Sequence, residues 1–256
     1  MLRPIINKGI GRVIESILDL NPALDMDAIG DRFRRDRRVQ IRDLLTPAAA
    51  DAIHNLLAHH TPWGLGWRAG EDGPHALDAA ALAALPMEER NAVATRIFKA
   101  MQSTGEYAFS YARYPILDAY LTQAHPDSPY DILFEHLNDA PFMNFIRKIT
   151  GLQELHKADA QATLFAPNQF LPLHVDSHAA EGWRVAYVLG MCREEWRHDW
   201  GGYLNFFDED GDVIAGYRPR FNTLSLFEVP TPHAVSYVPP FAPIGRFSIT
   251  GWFRDR

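Results

Sequence analysis

The sequence predicts a mainly β chain with helices confined to its N-terminal part, an α+β arrangement built around a sandwich or barrel. Two observations carry that expectation. From Gln161 onward, short β-rich runs (QATLFA, WRVAYVLGM, GYLNFFDEDGDVI, NTLSLFEV, HAVSYV, RFSITGWF) alternate with clusters of Gly, Pro and Asp, the spacing of a sandwich or barrel. Before about Thr150 the apolar residues instead follow mainly helical spacing. A chain of 256 residues is long enough for one large β domain with helical additions. We therefore read 1–256 as a single domain, with 1–150 a mainly helical scaffold and 151–256 the β core.

In chain order, MLRPIINKGIGRVIESILDL has no uninterrupted apolar run of signal-peptide type and nothing near the ~18 residues of a spanning helix. Ile10, Val13, Ile14, Ile17 and Leu18 follow helical spacing there, as an amphipathic helix packed on a domain would. Helices are expected over 48–60 and 79–85, and again over MEERNAVATRIFKA, with Pro86 at its first turn. The stretch TPWGLGWRAGEDGP reads as surface connections with room for substrate contacts. In GEYAFSYARY, Tyr107, Phe109 and Tyr111 alternate with small or polar residues, the pattern of an added half-buried strand. DEDG at 208–211 lies between two alternating runs and reads as a hairpin turn rather than a metal loop. Arg32, Arg34, Arg35, Arg37 and Arg38 are interrupted by Asp31 and Asp36 and read as a solvated face.

Composition narrows the partners. Lys and Arg number 25 against 32 Asp and Glu, a formal charge of -7, which removes the general attraction that nucleic-acid and anionic-membrane binders exploit. Neither is expected here. The lone Cys192 makes neither an intrachain disulfide nor a thiolate zinc site, and a reducing cytoplasm suits such a chain.

With eleven histidines, spacing has to select the functional ones. His-x-Asp occurs twice. Residues i and i+2 share one face of a strand, so a ligand pair at this spacing needs extended backbone. His125-Pro126-Asp127 sits among prolines with no β-run before it and reads as a turn. His174-Val175-Asp176 ends the β-run LFAPNQFLPLHVD, with Val175 pointing the other way. His233 opens a later β-run, and a jelly roll brings such ends together. Two imidazoles and a carboxylate on one face form the triad of non-haem Fe(II) oxygenases, which leaves adjacent positions for a chelating oxo-acid and dioxygen.

The last strand adds a second pair at the same spacing. Arg246 and Ser248 face one way, Thr250 and Trp252 continue that face, and Phe247, Ile249 and Phe253 make the other face apolar. Both faces therefore look covered. A buried arginine needs an anion, and its planar fork matches a carboxylate.

At these residues the chain resembles the 2-oxoglutarate/Fe(II) dioxygenase superfamily, and within it the prolyl 4-hydroxylase-like branch that includes ribosomal-protein prolyl hydroxylases. FLPLHVDSH, RVAYVLGM, WGGYLNFFDEDG, RPRFNTLSLFEV, PHAV and RFSITGWF carry the resemblance, which is strongest after Gln161. It implies a double-stranded β-helix (jelly roll) with N-terminal helices, Fe(II) on His174, Asp176 and His233, and the distal carboxylate of 2-oxoglutarate on Arg246 with Ser248. O2 is the implied co-substrate and ascorbate the reductant in vitro. Asp176 separates the chain from halogenase relatives, which lack that carboxylate.

The resemblance departs at Phe165, where the family commonly has a tyrosine touching the oxo-acid, and at Asn168, where glycine is usual. Tyr187 stands where relatives carry a hydroxyl-bearing residue. It either supplies the missing hydroxyl or is plain core. The implied activity is hydroxylation of a C–H bond, of a prolyl residue in a peptide or protein. A hydroxylase of a free amino acid or other small metabolite, and a non-catalytic cupin-like metal-binding module, are the alternatives.

Overall fold

The computed structural model describes residues 17–176 and 181–256. The N-terminal half contains α1 (Met26–Asp36), β1 (Arg38–Arg42), α2 (Pro47–His59), β2 (Gly64–Ala69), β3 (Asp72–Leu77), α3 (Ala79–Ala84), α4 (Met87–Met101), β4 (Ala108–Tyr114), α5 (Ile116–Leu121), α6 (Pro129–Leu137) and α7 (Ala140–Thr150). Apart from a short 3-10 helix at His198–Trp200, the regular structure of the C-terminal half is strand: β5 (Lys157–Ala158), β6 (Gln161–Phe165), β7 (Leu171–Val175), β8 (Trp183–Gly190), β9 (Leu204–Phe207), β10 (Val213–Tyr217), β11 (Thr223–Glu228), β12 (Pro232–Val235) and β13 (Arg246–Arg254).

The helices start where their chemistry says they should. Asp25, Asp78 and Ser128 each accept a backbone N–H in the first turn that follows, and Pro occupies the first turn of α2, α6 and α7. A large antiparallel sheet runs β1-β11-β8-β13-β6-β4-β2-β3, with β5 also paired to β13, and a smaller one runs β10-β9-β12-β7. Helices cover one face of the large sheet, where Phe33, Leu57, Phe142 and Ile146 meet Val185, Leu226, Ile249 and Phe253. The other face packs toward the small sheet, where Ala186 and Phe227 meet Leu204 and Phe206. This is a double-stranded β-helix with a helical layer behind its larger sheet.

One expectation needs correction. TPWGLGWRAGEDGP is not a surface connection: it supplies β2 and the start of β3, paired Leu65 to Leu77 and Trp67 to His75. Its glycines give it little strand propensity of its own, and pairing with β4 from Gly64–Arg113 to Ala69–Ala108 holds it extended. The N-terminal part, mainly helical, also contributes β1 to β4 to the large sheet. Arg38 accordingly lies on a strand, whereas Arg32, Arg34 and Arg35 are exposed on α1.

Other expectations agree. DEDG makes the β9–β10 turn, with Asp208 Oδ1 accepting from the N–H groups of Asp210 and Asp212. The amphipathic N-terminal helix falls on residues outside the described ones, apart from Ile17 and Leu18, which are buried. Among the described residues no helix is long and apolar enough to cross a membrane.

Asn222 ties the two halves together. It is buried with φ 52°, and its side chain accepts from Leu45 N at 2.9 Å and donates to Leu45 O at 2.8 Å. Asn222→Ala strands both backbone groups and strains the backbone, so it should cost about 2 to 4 kcal/mol of unfolding free energy in urea titrations. Asn222→Gly, which tolerates the positive φ, should lose less.

Candidate active site

The strand pleat places the three candidate ligands together. β12 lies between β7 and β9, with His233 directly opposite His174. Their rings stand 4.1 Å apart between centroids. Asp176, just past the end of β7, lies 3.7 Å from His174 Nε2 through Oδ1 and 3.8 Å from His233 Nε2 through Oδ2. Val175 points away and is 45% exposed. His125 and Asp127 are in an exposed turn and take no part.

Both imidazoles are held in the form a cation requires. His174 Nδ1 lies 2.9 Å from Pro172 O, and His233 Nδ1 lies 2.9 Å from Thr231 O. A backbone carbonyl only accepts, so each Nδ1 carries the proton and each Nε2 presents its lone pair toward the neighbouring ligand. Burial, and then the adjacent His174, push the His233 pKa down to about 4. His233 is therefore neutral at physiological pH, as ligation demands.

Sequence reasoning missed the support under Asp176. Trp252 Nε1 donates to Asp176 Oδ2 at 2.9 Å, and Trp183 stacks on Trp252 at 3.8 Å and 8°. The backbone N–H of Trp252 is fixed in turn by Asp159 Oδ1 at 2.7 Å, and Asp159 is ion-paired with Arg254. Gly251 makes this approach feasible, because the Asp159 backbone occupies the place of any side chain at 251. Trp252 was legible as a residue of the Arg246 face; its carboxylate partner was not.

The cavity beside the triad has a volume of about 270 Å³. His174, Asp176 and His233 line it together with Arg246, Tyr111 and Phe165. Arg246 is 5% exposed, and burial lowers its pKa to about 10, so it remains a cation at neutral pH. Its guanidinium carbon sits 5.4 Å from the Phe165 ring centroid, and among the described residues no carboxylate comes within ion-pair distance. Ser248 is fully buried one step deeper, its Oγ 2.8 Å from the hydroxyl of Thr163, and Thr163 lines the cavity.

Tyr187 belongs to the core. Its hydroxyl donates to Asp159 O at 2.8 Å, its ring packs 4.9 Å from Phe253, and it joins the apolar cluster beneath the helices. The alternation of β8 turns Ala186 and Val188 toward the small sheet and sends Tyr187 the other way. Of the two expectations for Tyr187, its hydroxyl bond to Asp159 O fits plain core, while the residue is also among those that line the cavity. Tyr111 is the hydroxyl-bearing ring beside Phe165, at 5.3 Å between centroids. The register of β4 with β6 sets the two side by side, a relation invisible in sequence. Burial raises the pKa of Tyr111, and that of Tyr107 to about 12, so both phenols keep their protons.

The arrangement suits a divalent iron and a dicarboxylate. Two neutral imidazoles and one carboxylate converge from one side, the donor set of mononuclear oxygenase iron. Across the cavity a buried cation awaits an anion, since a buried charge is stable only when paired.

Comparison with known proteins agrees. Residues 160–254 match the family model described as "2OG-Fe(II) oxygenase superfamily". No curated protein sequence matches the chain significantly. Among solved structures, a 2OG-Fe(II) oxygenase family oxidoreductase from Burkholderia pseudomallei aligns over 93% of both chains at 13% identity, TM-score 0.57. A prolyl-4-hydroxylase from Pseudomonas putida aligns over 93% of this chain and 98% of its own at 20% identity, TM-score 0.51. A prolyl 4-hydroxylase from Phytophthora capsici aligns over 89% and 61% at 15% identity, TM-score 0.52. At these identities the structural likeness speaks for the fold alone. Residues 160–254, which contain the His174, Asp176, His233 cluster and Arg246, are thus the part of the chain that is similar to the 2OG-Fe(II) oxygenase superfamily.

Proposed function

We propose that the chain, acting as one domain over 1–256, is an Fe(II)- and 2-oxoglutarate-dependent hydroxylase of a prolyl residue in a peptide or protein. The observation that carries the oxygenase reading is a single cavity lined by both the triad and the anion-free Arg246. A silent cupin-like module has no use for the second. The prolyl reading rests on the RVAYVLGM and WGGYLNFF stretches and on the aromatic row Tyr107, Phe109 and Tyr111, which lines the same cavity. A free amino acid or small metabolite is the second reading, favoured by the cavity's modest volume. A reducing cytoplasm suits both Fe(II) and the single, buried Cys192.

In this reading His174 and His233 ligate through Nε2 and Asp176 through its carboxylate, whose orientation Trp252 fixes. Arg246 takes the distal carboxylate of 2-oxoglutarate, the Ser248–Thr163 hydroxyl pair completes that polar end, and the Tyr111 phenol donates where Phe165 cannot. Iron with 2-oxoglutarate and dioxygen supplies the oxidant that hydroxylates a C–H bond, releasing succinate and CO₂. The protein binds, orients and keeps water out: Leu171, Phe227 and Val235 make the rest of the wall apolar.

Anaerobic reconstitution should give one Fe(II) per chain. His174→Ala or His233→Ala should abolish turnover and cut iron retention while the circular dichroism spectrum is kept, and His125→Ala should do neither. Loss of iron from the His125 variant alone would move the site.

Arg246→Ala should raise the KM for 2-oxoglutarate by about 30-fold or more, because losing a buried charge-assisted contact costs on the order of 2 to 5 kcal/mol; lysine should restore part. Tyr111→Phe should raise the same KM by about 5-fold, the worth of one hydrogen bond. Tyr187→Phe should leave it unchanged.

Mass spectrometry of proline-containing peptides and free amino acids incubated with enzyme, Fe(II), ascorbate and 2-oxoglutarate separates the two substrate readings. Truncating a true peptide substrate should lower kcat as well as affinity. A +16 product on free amino acids only would assign the enzyme to small molecules.

A further inference from the structure

A second cavity, also of about 270 Å³, adjoins the first. The two share Gln161, Thr250 and Trp252 in their walls, so these side chains are what stands between them. Two guanidinium groups line the second cavity, and they differ in what they hold. Arg254 is engaged by Asp159 and by Glu181 at 3.3 Å. Arg113 has no carboxylate within ion-pair distance among the described residues, and its Nε is a buried donor with no hydrogen-bond acceptor.

Arg113 is built in place rather than left over. It continues the alternating row Tyr107, Phe109, Tyr111 along β4, and its register partners are Thr163 on β6 and Gly64 on β2. Its Cδ lies where a side chain at Gly66 would stand, at 3.2 Å from the position of a Cβ there, so the missing side chain gives the stem its bed. A buried Nε donor without an acceptor, beside a fixed stem, is one that a carboxylate in the cavity would satisfy.

We propose that Arg113 anchors a carboxylate of the substrate in this second cavity while the reacting carbon lies beside the triad in the first. The inference rests on the hydroxylase reading above and gives it a substrate class: an acid, either free or as an acidic group of a peptide. One guanidinium fork matches one carboxylate in shape and charge. A phosphate dianion would leave excess negative charge beside Asp118, which lines the same cavity and is exposed. Reach around Trp252 makes the enzyme select for the distance between the acid and the oxidised carbon. Binding energy gathered at Arg113 is then available to aim that carbon.

The test uses acid and amide pairs on the full chain: proline peptides carrying Glu or Gln at each position within two residues of the proline, and free proline against prolinamide. Binding is followed anaerobically by tryptophan fluorescence with Fe(II) and 2-oxoglutarate present, and turnover by succinate release. For the wild type at least one acid should bind tenfold or more tightly than its amide. The pair that does so tells a peptide side chain from a free acid. Arg113→Gln should bring that ratio to within twofold while iron content and substrate-free 2-oxoglutarate consumption stay unchanged, and Arg113→Lys should keep part of it. A ratio that persists in Arg113→Gln overturns the proposal, as does a wild type that binds no acid or prefers none. Acid-selective binding without hydroxylation would instead support the anchor and overturn the hydroxylase reading.

Discussion

The two-residue alternation of β13 and its neighbours is the constraint from which the rest of the molecule follows. Along β13, Arg246, Thr250 and Trp252 face the cavity while Phe247, Ile249 and Phe253 face the helices. One strand thus serves a polar site and an apolar core at once, and a slip of one residue would exchange them. The helical layer keeps the register from slipping, because its side chains bury only the odd-numbered row. β8 obeys the same rule, which is why Tyr187, however suggestive in sequence, belongs to the core.

Polar groups in the site are stabilised at different levels, and the differences carry the chemistry. Asp159, whose pKa burial raises, is compensated by Arg254 and by the Trp252 N–H. Asp176 is held on one oxygen by Trp252 and has the other facing His174. Arg246 and Arg113 have no such compensation among the described residues. Burying an unpaired charge costs several kcal/mol in a low-dielectric interior. A fold that tolerates it at Arg246 has offset the cost elsewhere, here in the large apolar layer beneath the sheet.

Much of this was legible before any coordinates. The i, i+2 spacing of His174 with Asp176 and of Arg246 with Ser248 needs only the pleat of a strand, and both pairs stand on strands or at a strand end. What could not be read depends on register between strands far apart in the chain. Tyr111 meets Phe165 because β4 pairs with β6, and Trp252 meets Asp176 because the two sheets face each other. No local pattern encodes either. β2 was hidden for a different reason: its two glycines suppress strand propensity, while Gly66 leaves space for the side chains of Tyr111 and Arg113 and Gly64 for the Leu77 backbone.

Each imidazole of the triad is clamped by a backbone carbonyl two residues upstream, rather than by a group the cation itself must recruit. The clamp is local and exists as soon as β7 and β12 are formed. Folding can therefore precede loading, unlike in small zinc domains whose structure collapses without metal. Under the proposed function the polypeptide would fold first and take up iron second.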